Sequence, residues 1–137
     1  LRIIASSIQV LAEDKGMENW GHVPHERKRL FQLLRQHKAH HTFFLSGDVH
    51  FAELSQMIVD DYPIYDMTSS GMSHSAPGWA KATNPYRIGD AHPVLNAGLI
   101  EIDWKAKQLG LSFIDPKGNK LSSHRIDFAE LTFKETD

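Results

Sequence analysis

A short apolar run that ends at a glycine, with an aspartate and a histidine directly after it, constrains this chain more than any other feature. The run from Thr42 to Leu45 predicts a buried strand. The strand breaks at Gly47, where glycine can adopt backbone angles that are closed to other residues. Asp48 and His50 follow at once, so two side chains of the metal-binding type stand at the end of a buried strand.

The spacing of Asp48 and His50 indicates what they do together. On extended backbone, residues two apart face the same side, so a carboxylate and an imidazole point into one place. The carboxyl ends of strands in α/β sheets are where ligands bind. The two groups form a partial ligand set for zinc, iron or manganese, as metal-assisted phosphoesterases require. The alternative is structural: Asp48 caps a turn, and His50 is a half-buried, hydrogen-bonded histidine.

Length and composition limit the function classes. The 137 residues suffice for one domain with one core. A net charge of −2 argues against a dedicated nucleic-acid partner or an anionic membrane surface. No apolar run approaches the roughly 18 residues of a membrane-spanning helix. Cysteine is absent, which excludes disulfides, thiolate metal sites and cysteine nucleophiles.

The first 60 residues predict alternating strands and a helix. Residues 2–10 predict a first strand and its exit, and residues 11–23 predict an exposed polar loop. Pro24 suits the first turn of a helix. The following residues recur at helical spacing: Leu30, Leu33, Leu34 and His37, with Phe31 adjoining. Ala52 to Val59 is compatible with a strand or with a short helix.

The second half predicts a strand, a long loop and a meander. Ile64 to Thr68 predicts the next strand, and residues 69–97 predict a long loop of the kind that carries function. Three strands follow, at residues 99–104, 109–114 and 121–131, with a hairpin-type turn at residues 115–119. Residues 133–137 predict a frayed tail. No repeat or linker divides the chain.

Four segments carry a resemblance to a known family. These are Ser46 to Glu53, Trp20 with Pro24 to Leu30, Tyr65 to Ser75, and Asn96 to Trp104. In their order along the chain they resemble motifs of the PhoD-like alkaline phosphatases, which belong to the calcineurin-like metallophosphoesterases. Ser46 to Glu53 resembles the last metal motif of that family. The likeness covers nearly all of this chain, but only the C-terminal part of such an enzyme.

The resemblance implies a fold and a chemistry. The fold is mixed α/β, the C-terminal half of a metallophosphoesterase-type β-sandwich flanked by helices, with residues 1–137 as part of a single domain whose N-terminal part is absent. Asp48 and His50 are then metal ligands in a centre of two or more divalent or trivalent ions, with iron, calcium, manganese or zinc as candidates. The substrates are phosphomonoesters and phosphodiesters, and the location is extracellular or periplasmic.

Other residues are candidates for contacts with the substrate, and the resemblance implies that His74 and Arg27 are catalytic donors that stabilise charge on the phosphoryl oxygens. Arg27 either holds a phosphate or belongs to a solvated basic helix face. Trp20 either anchors its loop or walls a substrate pocket. Ser69, Ser70 and His74 either line a phosphate site with polar donors or belong to a polar surface loop. Gln9 lies where the superfamily often has a histidine ligand. It either contacts a metal or a metal-bound water, or is a hydrogen-bonding loop residue, which is the interpretation that we favour.

The remaining ligands of the family lie in upstream motifs, and none of these is visible here. We therefore expect that the chain is inactive alone and needs the missing N-terminal part. If the chain held a complete metal site, His22, His74 or His92 would have to be reconsidered as ligands. A second interpretation is a non-catalytic, β-rich binding module that uses residues 69–97 for contacts. A third interpretation is a serine hydrolase that uses Ser70 or Ser73 with a histidine, but the absence of a Gly-x-Ser-x-Gly elbow argues against it.

Overall fold

In the part of the chain that the structure describes, two β-sheets and one α-helix share one main hydrophobic core. The computed structural model describes residues 1–13 and 15–134. The strands are β1 (Arg2–Ala5), β2 (Thr42–Ser46), β3 (Ala52–Val59), β4 (Tyr62–Ser69), β5 (Arg87–His92), β6 (Ala97–Asp103), β7 (Gln108–Ile114) and β8 (Lys120–Asp127), and the helix is α1 (Pro24–Gln36). Two short 3₁₀ turns cover Trp20–His22 and Trp79–Lys81. The architecture is mixed α/β, as predicted.

The larger sheet has the strand order β1-β2-β4-β3-β5. β1, β2 and β4 are parallel, whereas β3 is antiparallel to β4 and β5. Phe43 and Phe44 of β2 are both fully buried, which is typical of a parallel strand covered on both faces. Asp60 and Asp61 join β3 to β4, with φ of 49° and 65°. A two-residue turn with both φ positive matches the twist of a hairpin, so this turn fixes residues 52–59 as a strand.

The smaller sheet is the antiparallel meander β6-β7-β8. Leu111 and Phe113 of β7 and Ile126 of β8 belong to the same core cluster as Phe43 and Met67 of the larger sheet. The two sheets therefore pack on one core. The predicted turn at residues 115–119 is confirmed: the Asp115 carboxylate accepts hydrogen bonds from two backbone N–H groups of the turn.

Helix α1 begins at Pro24, as predicted. Phe31 and Leu34 are its buried residues, and they pack in the main core. Leu33 was predicted to belong to the apolar face, but it is 43% exposed, so this part of the prediction is wrong. In the described part of the chain, no helix has the length and apolar character needed to cross a membrane.

The predicted loop at residues 69–97 contains a strand. β5 pairs with β3 through Ile88 opposite Leu54 and His92 opposite Ala52. Its sequence, Arg-Ile-Gly-Asp-Ala-His, has little apolar alternation, and none of its residues is fully buried at this edge of the sheet. The predicted strand at residues 121–131 is also shorter, since β8 ends at Asp127.

The predicted frayed tail is wrong at its first residue. The Phe133 ring stacks on the ring of Tyr62, with centroids 4.0 Å apart and planes 12° apart. The backbone N–H of Phe133 donates to Nδ1 of His40 at 3.0 Å. These contacts fix residue 133 against the core, because an aromatic pair and a hydrogen bond act together. Residues 135–137 lie outside the described residues.

Candidate active site

The carboxyl ends of β1, β2 and β4 meet at one edge of the larger sheet, and the segment 47–51 lies there. This segment links β2 to β3 and is called the His50 turn below. A Cβ added to Gly47 would lie 3.5 Å from the Ser7 carbonyl oxygen and 3.6 Å from Cβ of Ser70. The turn therefore passes between the exits of β1 and β4, at the edge where α/β sheets bind ligands.

The backbone of the His50 turn is left-handed at two non-glycine residues. Asp48 has φ of 74° and His50 has φ of 57°. The prediction that these residues lie on extended backbone is wrong. Val49 and Phe51 are buried in a small satellite cluster with Ala80, and the chain curls to place both of them there. Asp48 is left exposed and His50 half-buried.

Hydrogen bonds to the backbone N–H and to the backbone carbonyl of His50 hold this curled backbone in place. The backbone N–H of His50 donates to Oγ of Ser70 at 2.9 Å. The His50 carbonyl accepts from the backbone N–H of Ala76 at 2.9 Å. Ser70 thus supports the turn through its hydroxyl and is not hydrogen-bonded to an imidazole, which argues against Ser70 as a histidine-activated nucleophile.

Two rings flank the His50 imidazole. His74 meets it edge-on, with centroids 5.0 Å apart and planes 82° apart. Trp79 stacks on it, with centroids 5.7 Å apart and planes 17° apart. The structure therefore brings together two of the predicted site residues, His50 and His74, with Asp48 in the same turn. It adds Trp79, which the sequence had not marked.

This arrangement fits part of a metal site. The Asp48 carboxylate is exposed, and among residues 1–13 and 15–134 no hydrogen bond or ion pair engages it. Carboxylate oxygen and imidazole nitrogen suit zinc, iron or manganese. Within the same ranges, no group of three or more His, Cys, Asp or Glu side chains is arranged to hold a metal ion. Asp48 and His50 are thus two donors that would need others to complete a coordination shell.

Two other predicted residues, Trp20 and Ser69, have structural partners. Nε1 of Trp20 donates to Oγ of Ser6 at 3.1 Å, and the ring packs against the main core, so Trp20 anchors its loop. Oγ of Ser69 donates to Oδ1 of Asn96 at 2.9 Å. Ser69 also lines a cleft of about 270 Å³ that lies between the two sheets.

Arg27 lies away from the His50 turn. Its guanidinium pairs with Glu13 and donates to the Leu11 carbonyl at 3.4 Å. The cleft that it lines includes Met57 and Val59, at the far end of β3. β3 begins directly after the His50 turn and runs antiparallel to β4, so its last residues lie at the opposite end of the strands from the His50 turn.

A buried polar network lies beneath the turn, and it was not predicted from the sequence. Glu53, three residues after His50, is fully buried and accepts hydrogen bonds from Nε2 of Gln9 at 2.6 Å and from Nε of Arg87 at 2.6 Å. Nδ2 of Asn84 donates to it at 3.0 Å, and the Lys15 ammonium pairs with it. Gln9 is thus a buried hydrogen-bonding residue, in line with its structural interpretation. In the described ranges, every buried side-chain polar atom has a partner.

The charges in this network shift each other's pKa. Burial alone would raise the pKa of Glu53, but Lys15, Arg87 and Gln9 together hold it below its ordinary value. Burial lowers the pKa of Lys15, and the attraction of Glu53 only partly opposes this. The sequence indicated this network only through Glu53, a charged residue inside the apolar strand β3. Nothing in the sequence around Lys15 indicated that Lys15 would be buried.

A second buried carboxylate lies on the adjacent strand β4. Asp66 accepts hydrogen bonds from the backbone N–H groups of Val10 at 2.7 Å and Leu11 at 3.1 Å. Oγ of Ser46 also donates to it, at 2.6 Å. Burial raises the pKa of Asp66, and these donors only partly oppose the rise. Asp66 thus ties the exit of β1 to the centre of the sheet.

Comparison with known proteins adds a likeness in structure. No protein-family model matches the chain, and no curated protein matches it. A solved structure described as "Structure of PhoD" matches with a TM-score of 0.61 and 16% sequence identity. The fold of this chain is PhoD-like. The match covers 91% of this chain and 28% of the PhoD chain, so this chain corresponds to less than a third of that protein.

Proposed function

We propose that this chain is part of a metal-dependent phosphoesterase that hydrolyses phosphomonoesters or phosphodiesters. The observation that carries the proposal is the His50 turn, with two left-handed non-glycine residues at the carboxyl edge of a PhoD-like sheet. A non-glycine residue in this region costs about 1–3 kcal/mol, although aspartate and histidine tolerate it better than most. Such strain clusters at functional sites, where the side-chain placement matters more than local stability.

Asp48 and His50 have the roles of metal ligands in this proposal. Bound ions would polarise the phosphoryl group and supply a hydroxide nucleophile near neutral pH. Asp48 offers an exposed carboxylate without a partner among the described residues, and His50 offers an imidazole on a backbone that two hydrogen bonds hold in place. His74, beside His50, can donate a hydrogen bond to a phosphoryl oxygen. Arg27 is left out, because its guanidinium pairs with Glu13.

The site needs further ligands, and we propose that they come from an N-terminal part of a longer protein. This chain aligns with 28% of PhoD, which leaves room for the metal motifs that the resemblance places upstream. Two or more ions are expected in the complete enzyme, with iron, calcium, manganese and zinc as candidates. The chain alone is then a half-site without hydrolytic activity. An extracellular or periplasmic location stays a prediction.

A paramagnetic metal titration tests the proposal on this chain. We expect Mn²⁺ to broaden the NMR signals of Asp48, His50 and His74 before others, because broadening falls steeply with distance from the ion. Asp48→Asn and His50→Ala should weaken this effect. His25→Ala is the matched control, since His25 is an exposed histidine on α1.

Two results would contradict the proposal. One is broadening that persists at the turn in His50→Ala and Asp48→Asn together. The other is no localised broadening at any Mn²⁺ concentration, which would favour the non-catalytic binding module. In the longer enzyme that the proposal implies, each of the two substitutions should strongly reduce hydrolysis of p-nitrophenyl phosphate, and the His25 control should not.

A further inference from the structure

The stacking of Trp79 on His50 needs an explanation, because little of it comes from burial of Trp79 itself. Its side chain is 47% exposed and belongs to a 3₁₀ turn of only three residues, Trp79–Lys81. In that turn only Ala80 is buried, against Val49 and Phe51. A single alanine contact is a weak anchor for so short a segment, because short 3₁₀ turns have poor hydrogen-bond geometry.

Arg87 supplies the anchor. Its Nη2 donates to the carbonyl oxygens of Ala82, at 2.9 Å, and of Ala80, at 3.4 Å. These carbonyls lie at the C-terminal end of the 3₁₀ turn, where a cation is favourable and unpaired carbonyls need donors. On its other side, Nε of Arg87 donates to Oε2 of Glu53 at 2.6 Å. One guanidinium therefore joins the Trp79 segment to the interior of the sheet.

Glu53 is a rigid base for this connection. It is fully buried in β3 and is held by Lys15, Gln9 and Asn84 as well as by Arg87. Nζ of Lys15 also lies 4.9 Å from the centroid of the Phe51 ring, directly after His50 in the chain. Glu53 is thus connected through Lys15 to Phe51, next to His50 in the chain, and through Arg87 to the segment that carries Trp79.

We propose that Glu53 and Arg87 are positioning residues that hold Trp79 against His50 and so fix the orientation of the imidazole. The orientation itself requires no metal. Its consequence, that Arg87 tunes metal affinity, rests on the proposed function. Partners that orient a histidine ligand typically change metal affinity by about 10–100-fold when they are removed.

Ring-current shifts measure the orientation directly. In the full 137-residue chain, the indole of Trp79 should displace the ring-proton signals of His50 upfield, and Trp79→Leu gives the signal without that displacement. Arg87→Lys keeps a cation beside Glu53 but lacks the planar fork that reaches Glu53 and two carbonyls together. We expect the Arg87→Lys variant to lose most of the upfield displacement of the His50 ring-proton signals. Lys81→Met, on the same 3₁₀ turn, is the control and should keep it.

Glu53→Asp is a second, independent variant. It keeps the charge and shortens the side chain by one methylene, which withdraws the carboxylate from Arg87, so the same loss is expected. The proposal is overturned if a folded Arg87→Lys or Glu53→Asp variant keeps the wild-type displacement. If wild type shows no difference from Trp79→Leu, the stacking is absent and the proposal also fails.

The metal measurement separates this inference from the proposed function. If Mn²⁺ binds at His50, a folded Arg87→Lys variant should bind it about 10-fold more weakly than wild type. A full ring-current effect without Mn²⁺ binding would refute the metal site and keep the positioning role. Unchanged Mn²⁺ affinity together with a lost ring-current displacement would refute the effect of Arg87 on the metal.

Discussion

Removing the charge of Glu53 should destabilise this chain far more than removing the charge of its partner Lys15. Both side chains are fully buried, with 0% of their surface exposed. Glu53→Gln leaves the Lys15 ammonium buried and the Arg87 guanidinium largely buried, with no carboxylate to balance them. Breaking a buried ion pair from one side costs about 3–5 kcal/mol, because the remaining charge is uncompensated.

Lys15→Met should cost less, about 1 kcal/mol. The carboxylate of Glu53 keeps the guanidinium of Arg87 at 2.6 Å, the amide of Gln9 at 2.6 Å and the amide of Asn84 at 3.0 Å. Burial lowers the pKa of Lys15, so burying the charged ammonium is itself unfavourable, and methionine of similar shape avoids that cost.

Urea unfolding of wild type, both single variants and the double variant tests this asymmetry. A domain of this kind is stable by about 5–15 kcal/mol, so Glu53→Gln should lower the urea midpoint clearly without changing the slope. The double variant should be less destabilised than the sum of the single variants, with a coupling of about 1–3 kcal/mol. The reasoning is refuted if Lys15→Met costs as much as Glu53→Gln, or if Glu53→Gln costs less than about 1 kcal/mol.

Three further measurements follow from single contacts. Gly71→Ala places a Cβ 2.1 Å from Nδ2 of Asn96, so we expect a loss of about 1–3 kcal/mol in urea unfolding, whereas Gly78→Ala meets nothing within 4 Å and should be neutral. Burial raises the pKa of Tyr65 to about 12, so the folded state keeps a proton that the unfolded state releases above pH 10.0. The free energy of unfolding should therefore fall above pH 10.0 by up to about 1.4 kcal/mol per pH unit. The fall should be less steep in Tyr65→Phe. Because the pKa of Glu53 is lowered, its stabilisation should be lost as pH falls below 4.5, and Glu53→Gln should lack this acid dependence.

Features that depend on local pattern could be predicted from the sequence. Pro24 and the helical spacing after it gave the start of α1, and the buried run at Thr42 gave β2. The Asp115 turn was predictable because its carboxylate bonds to the turn's own backbone. In each case the residues that determine the structure are neighbours in the chain.

Features that depend on distant partners could not be predicted. β5 forms because β3 offers it an edge, and Phe133 is ordered because Tyr62 lies beneath it. The candidate site shows the same division. Asp48 and His50 stood out as neighbours, but their left-handed backbone follows from burial of the residues between and after them. Trp79 reaches His50 only through the folded loop.

The buried network is the clearest case of this division. Glu53 pairs with Lys15, 38 residues away in the chain, and with Arg87, 34 residues away. Neither partner belongs to a local motif, and each is of a type that is almost always exposed. A charged residue inside an apolar strand does indicate that partners exist, because an unpaired buried carboxylate is very costly. It does not say which residues they are.

A glycine substitution at the left-handed residue Asp48 can distinguish backbone strain from a role of the carboxylate in metal binding. Glycine adopts φ of 74° freely, so Asp48→Gly removes strain but adds chain entropy to the unfolded state, with a net gain of up to about 1 kcal/mol. Lys107→Gly is the matched control, since Lys107 has φ of 55° in an exposed turn between β6 and β7. If aspartate stands at position 48 for its carboxylate alone, both variants should gain similar stability in urea unfolding, and only Asp48→Gly should lose Mn²⁺ broadening at His50. If Asp48→Gly is instead destabilised while Lys107→Gly gains stability, the carboxylate supports the turn itself. The turn-capping role would then account for Asp48, and the left-handed backbone would no longer argue for a metal ligand.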